Sequence, residues 1–435
     1  MDMNFRRYPI GIQNFEQLRT DNYVYVDKTP LVYKLANTNT TYFLSRPRRF
    51  GKSLLISTLE AYFQGKKELF TGLAMETLEK EWTVYPVLHI DFSISKYVVA
   101  SSLRAYLHYQ LALWEKVYGK SEDEGTFSLR FGGVIRRAYE QTGKRVVILI
   151  DEYDVPLDKA YRSGYYDEMM ELIRGLFGQA LKTNNSLQFA VLTGCLRVSK
   201  ESIFTGFNNF NVYTVQDVRY SQYFGFTDGE VKKMLAYYGF TEQYDTVKEW
   251  YDGYRFGSGL EIYCPWDVVN YCDRLRDGSI TKPQNYWVNT SGNDIVKIFV
   301  SVADTNTRNE IEVLIDGGGI RKEIRQELTY RDVNSNIDNL WSILFTTGYL
   351  TQRGVSEDDT TELVIPNREV RWIFVRQIRR WFEEETGKDV QKLERFCKAF
   401  EENDTAAIEE GFMSYLQKTI SIRDTNVRKV KKENF

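Results

Sequence analysis

The most constraining feature of the sequence is a polar loop that joins an apolar run to a helical pattern. The run is Thr41–Ser45, the loop is Arg46–Gly51, and the helical pattern covers Ser53–Phe63. A loop that ends in glycine, lysine and serine between a strand and a helix is typical of phosphate-binding loops. Backbone N–H groups at such a helix N-terminus attract an anion. The sequence therefore predicts an anion site after the first strand.

Each part of this candidate phosphate loop has a chemical role. Gly51 lets the backbone approach a phosphate closely, because it has no Cβ atom. Lys52 would reach the β- and γ-phosphates, and the hydroxyl of Ser53 would ligate Mg²⁺. The predicted nucleotide-binding residues are Arg46, Pro47, Arg48, Arg49, Phe50, Gly51, Lys52, Ser53 and Leu54.

The loop departs from the usual pattern at its entrance. Arg46 stands where the pattern G-x-x-x-x-G-K-[ST] has its first glycine, and Pro47 restricts the backbone of both residues. Two alternatives stay open at this point: a basic surface turn that happens to contain Gly51-Lys52-Ser53, and a structural protein whose loop has lost its activity.

A second motif matches the loop. The apolar run Arg145–Ile150 ends in Asp151 and Glu152, which is the pattern of a Walker B strand. Asp151 would hold Mg²⁺ through water, and Glu152 would polarise the attacking water as a catalytic residue beside Lys52. The alternative is an acidic strand end. Asp154 is predicted to cap the next turn.

Further strand candidates suggest how the sheet is built. They are Val87–Phe92, Gln188–Thr193 and Asn211–Val215, with helical patterns between the earlier ones. Apolar strands separated by helices predict an α/β fold, a parallel sheet covered by helices, as in P-loop NTPases. Thr193, at a strand end, is a candidate for orienting water. Arg197 is a candidate for stabilising transition-state charge, and a solvated surface charge is its alternative.

The remaining chain divides by pattern. Residues 1–220 are predicted to form the P-loop ATPase core and residues 221–285 a helical lid, which begins with a capping box at Thr227–Glu230. Residues 286–385, with helices, a short hairpin and a helix, predict a winged-helix-like region. Residues 386–435 are expected to form a helical linker or tail.

Composition excludes several classes of protein. The formal net charge is −3, with 57 basic and 60 acidic residues, so no overall basic field favours nucleic acid or a membrane. Two histidines and four scattered cysteines leave little for a zinc site, a Ser-His-Asp triad or a disulfide framework. No apolar run is long enough for a membrane span. We expect a cytoplasmic protein without a membrane partner.

Several segments together resemble the AAA-ATPase-like family of mostly gut anaerobic bacteria. The loop is also similar to that of archaeal-type ATPases of the signal-transduction class. The segments that carry the family resemblance are Tyr8–Ile12, Tyr25–Thr29, Arg46–Ser53, Ile150–Asp154, Thr193-Gly194, Trp250–Phe256, Pro265-Trp266, Tyr286-Trp287 and Thr290-Ser291.

The resemblance implies ATP and Mg²⁺ as cofactors and a switch or motor linked to nucleic acid or defence. Members often continue into a PD-(D/E)XK nuclease domain, which we expect this chain to lack. Glu230 and Lys232 are the nearest match to its acid and lysine, but they lie on a predicted helix rather than a strand.

The alternative function is a nucleotide-gated module that binds nucleic acid through the C-terminal region or binds protein, with little hydrolysis of its own. The basic tail Arg428–Lys432 is one feature that favours this alternative. Self-association into a homo-oligomer is a further prediction about partners. No base-reading motif of GTP-binding proteins is present in the sequence, which favours ATP.

Overall fold

The computed structural model describes residues 5–182, 184–196, 210–257, 259–278, 282–287, 294–325, 328, 331, 336–354, 359–386, 398–399 and 404–407. The helices are α1 (Phe15–Thr20), α2 (Thr29–Thr38), α3 (Lys52–Phe63), α4 (Ala74–Leu78), α5 (Ala100–Tyr118), α6 (Phe127–Thr142), α7 (Val155–Ser163), α8 (Tyr166–Leu181), α9 (Asp228–Tyr238), α10 (Tyr244–Tyr251), α11 (Pro265–Arg276), α12 (Asp294–Val302), α13 (Thr305–Ile315), α14 (Ile337–Thr347) and α15 (Arg368–Thr386).

The strands are β1 (Thr41–Ser45), β2 (Val87–Asp91), β3 (Val146–Asp151), β4 (Leu187–Gly194), β5 (Asn211–Tyr213), β6 (Phe226–Thr227), β7 (Tyr254–Arg255), β8 (Glu261–Tyr263), β9 (Ile320–Glu323), β10 (Thr351–Gln352) and β11 (Thr360–Val364). The strand predictions in the first half of the chain therefore agree with the structure to within two residues at each end.

The main sheet is parallel, in the strand order β2–β3–β4–β1–β5. Every residue of β1 and β3 is buried, because helices cover the sheet. Among these helices, α3 packs on β2, β3 and β4, while α6 packs on β3 and α8 packs on β4. The sheet, with the loop between β1 and α3, confirms the predicted α/β P-loop NTPase-like fold. Strand β4 lies between the strands that carry the two motifs.

The region predicted to be a helical lid also contains a small sheet. Helices α9, α10 and α11 are present, and the capping box of Thr227 and Glu230 at the start of α9 is confirmed. Strands β6, β8 and β7 form an antiparallel sheet beside them. These strands have only two or three residues, too few for an alternating pattern to show in the sequence.

The lid region packs on the N-terminal segment through aromatic side chains. Tyr8, Tyr238, Tyr251, Tyr263 and Tyr271 belong to one buried cluster. The rings of Tyr8 and Tyr238 lie 4.3 Å apart between centroids, and the Tyr238 hydroxyl donates a hydrogen bond of 2.7 Å to the carbonyl of Arg6. The first residues of the chain therefore belong to the same core as α9 and α11.

Farther along the chain, β10, β11 and β9 form an antiparallel sheet with β11 in the middle. Helix α14 is buried from Asn339 to Phe345, so it is a core helix. The turn after α14 approaches the candidate phosphate loop: a Cβ atom on Gly348 would lie 2.9 Å from the Cβ of Pro47.

The chain divides into a large unit, Met1–Phe374, and a small unit, Val375–Phe435. All features discussed below lie in the large unit. The boundaries expected at residues 220, 285 and 385 stay predictions. Arg197 and the tail Arg428–Lys432 lie outside the described residues. Among the described helices, none combines the length and the apolar character that crossing a membrane requires.

Candidate functional site

The candidate phosphate loop is a tight connection with two left-handed residues. Arg49 has φ 73° and Gly51 has φ 82°, and glycine adopts this conformation without strain. The backbone N–H of Arg46 donates to the carbonyl of Gly194 at 3.3 Å, which fastens the loop to the end of β4. Helix α3 begins at Lys52, so its free N–H groups face the space that the loop encloses.

Arg46 is a buried structural residue at the entrance of this loop. Its Nη1 donates to the carbonyls of Ser45 at 2.7 Å and Thr214 at 2.6 Å, and its guanidinium carbon lies 4.7 Å and 5.0 Å from the ring centroids of Phe224 and Phe256. Burial lowers the pKa of Arg46 to about 9. The side chain therefore occupies the interior between the loop, the end of β5 and the lid region.

Lys52 is almost completely buried, at 3% exposure. Its Nζ donates to the carbonyls of Arg46 at 3.0 Å and Pro47 at 3.2 Å. It also lies 3.2 Å from Oε1 of Glu152 and 3.7 Å from Sγ of Cys195. Burial acts to lower the pKa of Lys52, but Cys195 and Glu152 outweigh it and raise the pKa. The ammonium group is therefore positively charged and held at the end of the sheet.

The carboxylate of Asp151 meets two hydroxyl groups. The side chains of Ser53 and Thr193 are both hydrogen-bonded to it, so α3, β3 and β4 each supply one oxygen. Burial raises the pKa of Asp151, as does the neighbouring Glu152. A cation placed beside it would compensate the buried charge.

Glu152 has an unusual backbone. Its φ is 52°, in the left-handed region that costs a non-glycine residue about 1 kcal/mol or more. Its N–H donates to Oγ1 of Thr193 at 3.2 Å. The hydroxyl of Thr193 thus holds both acids at the strand end, and the turn directs the Glu152 side chain toward Lys52.

Asp154 connects the β3 end to the β4 end. Its Oδ2 accepts from the backbone N–H groups of Cys195 at 2.9 Å and Leu196 at 3.0 Å. Asp154 is the N-cap residue of α7, as predicted, but its side chain makes no capping hydrogen bond to that helix. Burial raises the pKa of Asp154 to about 6. Burial also raises the pKa of the Cys195 thiol, to about 12, which keeps it an unreactive neighbour of Lys52.

A cavity of about 600 Å³ opens beside these groups. One end is formed by the predicted residues Arg48, Arg49, Phe50, Gly51, Lys52, Ser53 and Leu54, together with Glu152. The cavity wall does not include four other predicted residues, which are Arg46, Pro47, Asp151 and Thr193. The combination of positive groups and a helix N-terminus suits a phosphate group.

The other walls were not predicted as site residues. They include Pro9, Ile12, Val24 and Val26 from the N-terminal segment, Phe224 and Phe226 from the turn before α9, and Pro265, Trp266 and Val269 from α11. These residues show no periodic pattern. Five of these wall residues lie in segments that carry the family resemblance. No other sequence feature indicated that they line a cavity.

The Asp27–Thr29 segment leads into helix α2. Oδ1 of Asp27 accepts from the N–H of Thr29 at 2.9 Å, and Pro30 occupies the first turn of α2. Lys28 lines the cavity but donates to both carboxylate oxygens of Glu230 at 2.7 Å. It links the N-terminal segment to α9.

Part of the chain matches a known protein family. Residues 9–204 match the family model described as Predicted AAA-ATPase. This part of the chain is similar to that family. The matched region includes the candidate phosphate loop, the two acids after β3 and Thr193, and it ends before residue 221.

A curated relative and a solved structure are also similar. An uncharacterized protein in the vnfD 5′ region of Azotobacter chroococcum mcd 1 is 37% identical over 270 residues, which is 61% of this chain and 52% of that protein. The chain thus spans about half the length of this relative. The Walker-type ATPase of Pyrococcus abyssi aligns with a TM-score of 0.40 and 13% identity, over 82% of this chain and 97% of that one.

Proposed function

We propose that this chain binds ATP and hydrolyses its β–γ phosphoanhydride bond with Mg²⁺, as a switch or motor. The observation that carries the proposal is the meeting of Lys52 and Glu152, 3.2 Å apart, at a cavity bounded by the N-terminus of α3. A lysine for phosphate oxygens and a carboxylate for the attacking water are two of the groups that this reaction uses on the protein.

The residues present fit Mg²⁺. Ser53 and Asp151 offer a hydroxyl and a carboxylate that already contact each other, and Mg²⁺ prefers oxygen ligands. No group of three or more His, Cys, Asp or Glu in the described part of the chain could hold a metal by itself. This agrees with an ion that takes its other ligands from water and phosphate. When bound, Mg²⁺ would neutralise phosphate charge.

The protein's own groups have separate roles in the proposed reaction. Lys52 binds phosphate oxygens, and Glu152 orients the attacking water and accepts its proton. Thr193 positions both acids through its hydroxyl. In the structure Glu152 is paired with Lys52, so a phosphate bound by the lysine would compete with this carboxylate for it.

The apolar walls of the cavity suit a nucleobase. Aliphatic and aromatic side chains from the N-terminal segment and α11 line the part of the cavity away from the phosphate loop. Small-molecule sites are commonly lined in this way. ATP is preferred to GTP in this proposal because the sequence has no base-reading motif of GTP-binding proteins.

The decisive experiment measures phosphate release with Mg-ATP for the wild type, Lys52→Ala and Glu152→Gln. Nucleotide binding is measured separately by titration. Both variants should lose hydrolysis, while Glu152→Gln should still bind ATP. Undiminished hydrolysis by Glu152→Gln would contradict the assignment, and tight binding without turnover in the wild type would favour a structural or partner-dependent role.

A nucleic-acid partner is the second proposal. The order β10–β11–β9, with α12 and α13 before β9, supports a winged-helix-like C-terminal region. Helix α14 is buried along most of its length, so contact with phosphates rather than insertion of α14 into a groove is the form we propose. Duplex binding at low salt should then weaken steeply as salt rises, and no binding at low salt, with or without ATP, would refute it. Coupling to defence, a homo-oligomeric state and a cytoplasmic location stay predictions.

A further inference from the structure

Two adjacent arginines of the phosphate loop point to different parts of the cavity. The guanidinium carbon of Arg49 lies 4.2 Å from the ring centroid of Trp266, so Arg49 is stacked on the α11 wall. Arg48 has its electrostatic neighbours at Cys195, Glu152, Asp154 and Asp158, whereas Cys264 and Asp267 act on Arg49 before Glu152 does. The backbone of Arg49 is left-handed, with φ 73°.

Arg48 is the arginine that lines the phosphate end of the cavity together with Lys52, Ser53 and Glu152. Within the described ranges, its guanidinium makes neither a hydrogen bond nor an ion pair at 4.0 Å or less. Lys52, in contrast, already has carbonyl and carboxylate acceptors. A guanidinium with five donors and no acceptor, placed in a cavity, is arranged for an anionic ligand.

The other arginine of the loop is not available for this role. Arg46 is fully buried, donates to backbone carbonyls and lies against two aromatic rings. Burial acts to lower the pKa of Arg48, but Cys195 and Glu152 outweigh it and raise the pKa, so Arg48 is always charged. Its position beside Glu152 places it where the terminal phosphoryl group and the attacking water would meet.

We propose that Arg48 is a catalytic residue, which donates hydrogen bonds to the γ-phosphoryl oxygens and stabilises their charge in the transition state. The water oxygen forms a bond to the γ-phosphorus while the bond from that phosphorus to the β–γ bridging oxygen breaks. The bridging oxygen keeps the electron pair and leaves with ADP, and Glu152 accepts the proton of the water. The inference rests on the proposed ATP hydrolysis, and it gives this chain an arginine in cis, a device known to raise turnover by about 10³–10⁵-fold.

The test compares Arg48→Ala and Arg48→Lys with the wild type and with Arg136→Ala, a control on the exposed face of α6 (63% side-chain exposure). Steady-state phosphate release gives kcat, and titration gives the Kd for Mg-ADP. Arg48→Ala should lose at least about 10²-fold in kcat, while its Kd for Mg-ADP stays within about threefold. Arg48→Lys should also lose activity, because lysine cannot bind two oxygens in a fork.

Chemical rescue separates a catalytic role from a structural one. Free guanidinium ion at millimolar concentration should restore part of the activity of Arg48→Ala and none of that of Lys52→Ala. If Arg48→Ala does not fold, which thermal unfolding would reveal, Arg48→Lys and Arg48→Gln decide the question. This inference alone would be overturned if the Arg48 variants kept the wild-type kcat. It would also be overturned if they lost as much affinity for Mg-ADP as they lost in kcat. A wild type that does not hydrolyse ATP would overturn both this inference and the proposed function.

Discussion

The amino group of Lys52 and the carboxylate of Glu152 lie 3.2 Å apart at the end of the sheet. Lys52 thus has a carboxylate partner, and a phosphate bound by the lysine would compete with that carboxylate. Glu152→Gln removes this competition. We expect the variant to bind ATP about three- to tenfold more tightly than the wild type, since a partly buried ion pair of this kind contributes on the order of 1 kcal/mol.

Equilibrium titration without Mg²⁺ measures this effect apart from metal binding. Lys52→Ala is the matched control and should bind ATP far more weakly than the wild type. A Glu152→Gln variant with weaker affinity than the wild type would show that the pair does not oppose binding.

Arg46 should stabilise the fold rather than weaken it, although it stands in place of a glycine. Its guanidinium donates to the buried carbonyls of Ser45 and Thr214 and lies against the rings of Phe224 and Phe256, so its removal takes a donor from each carbonyl and leaves a cavity beside the rings. Arg46→Gly should therefore lower the free energy of unfolding by roughly 3 kcal/mol or more. Denaturant unfolding measures this, with Arg136→Ala expected to stay within about 0.5 kcal/mol of the wild type. Unchanged stability in Arg46→Gly would contradict the structural role.

The contact between Gly348 and Pro47 should couple the C-terminal part of the large unit to the phosphate loop. Gly348→Ala adds a Cβ atom 2.9 Å from the Cβ of Pro47, at φ 91°. Gly354→Ala is the matched control, because Gly354 has φ 70° and nothing within 4 Å of an added Cβ. Both variants bear the left-handed strain, which costs about 1 kcal/mol. Only Gly348→Ala should also weaken nucleotide binding, and equal Kd values in the two variants would contradict the coupling.

A buried carboxyl pair should make stability depend on pH. Burial raises the pKa of Asp267 to about 7, and burial together with Asp267 raises the pKa of Glu369. A carboxyl whose pKa is higher in the folded state contributes stability at low pH, and this contribution is lost as the pH rises from about 4 through about 7. Asp267→Asn keeps a neutral side chain at every pH.

Denaturant unfolding at several pH values between about 5 and 8 tests this. The wild type should lose stability over the range relative to Asp267→Asn. The control is Asp277→Asn, at a position with 61% side-chain exposure, which should follow the wild type. Parallel curves for the wild type and Asp267→Asn would contradict the prediction.

The sequence was most informative where local pattern and tertiary environment agree. Strand β3 is apolar throughout and fully buried, and the loop before α3 is marked by residue types that tolerate few other structures. Strands β6, β7 and β8 were missed because two- and three-residue strands have no period. They are fixed instead by packing on helices from elsewhere in the chain.

The chemical groups of the site were easier to predict than their directions. Lys52, Ser53, Asp151 and Glu152 were named from the motifs, and the structure brings them together. Neither the inward direction of Arg46 nor the divergence of Arg48 and Arg49 could be inferred. These depend on partners such as Thr214 and Trp266, which are far away in the sequence.

The environment of Arg46 bears on which stretch of this chain behaves as a unit. The family match ends at residue 204, yet the rings that cover the Arg46 guanidinium come from Phe224 and Phe256. A fragment cut at the edge of the match would expose a cation and its carbonyl acceptors to water beneath the phosphate loop. The segment that matches the family model is therefore shorter than the segment that must fold together. A substitution at position 46, 224 or 256 should be tolerated only with matching changes at the other two positions.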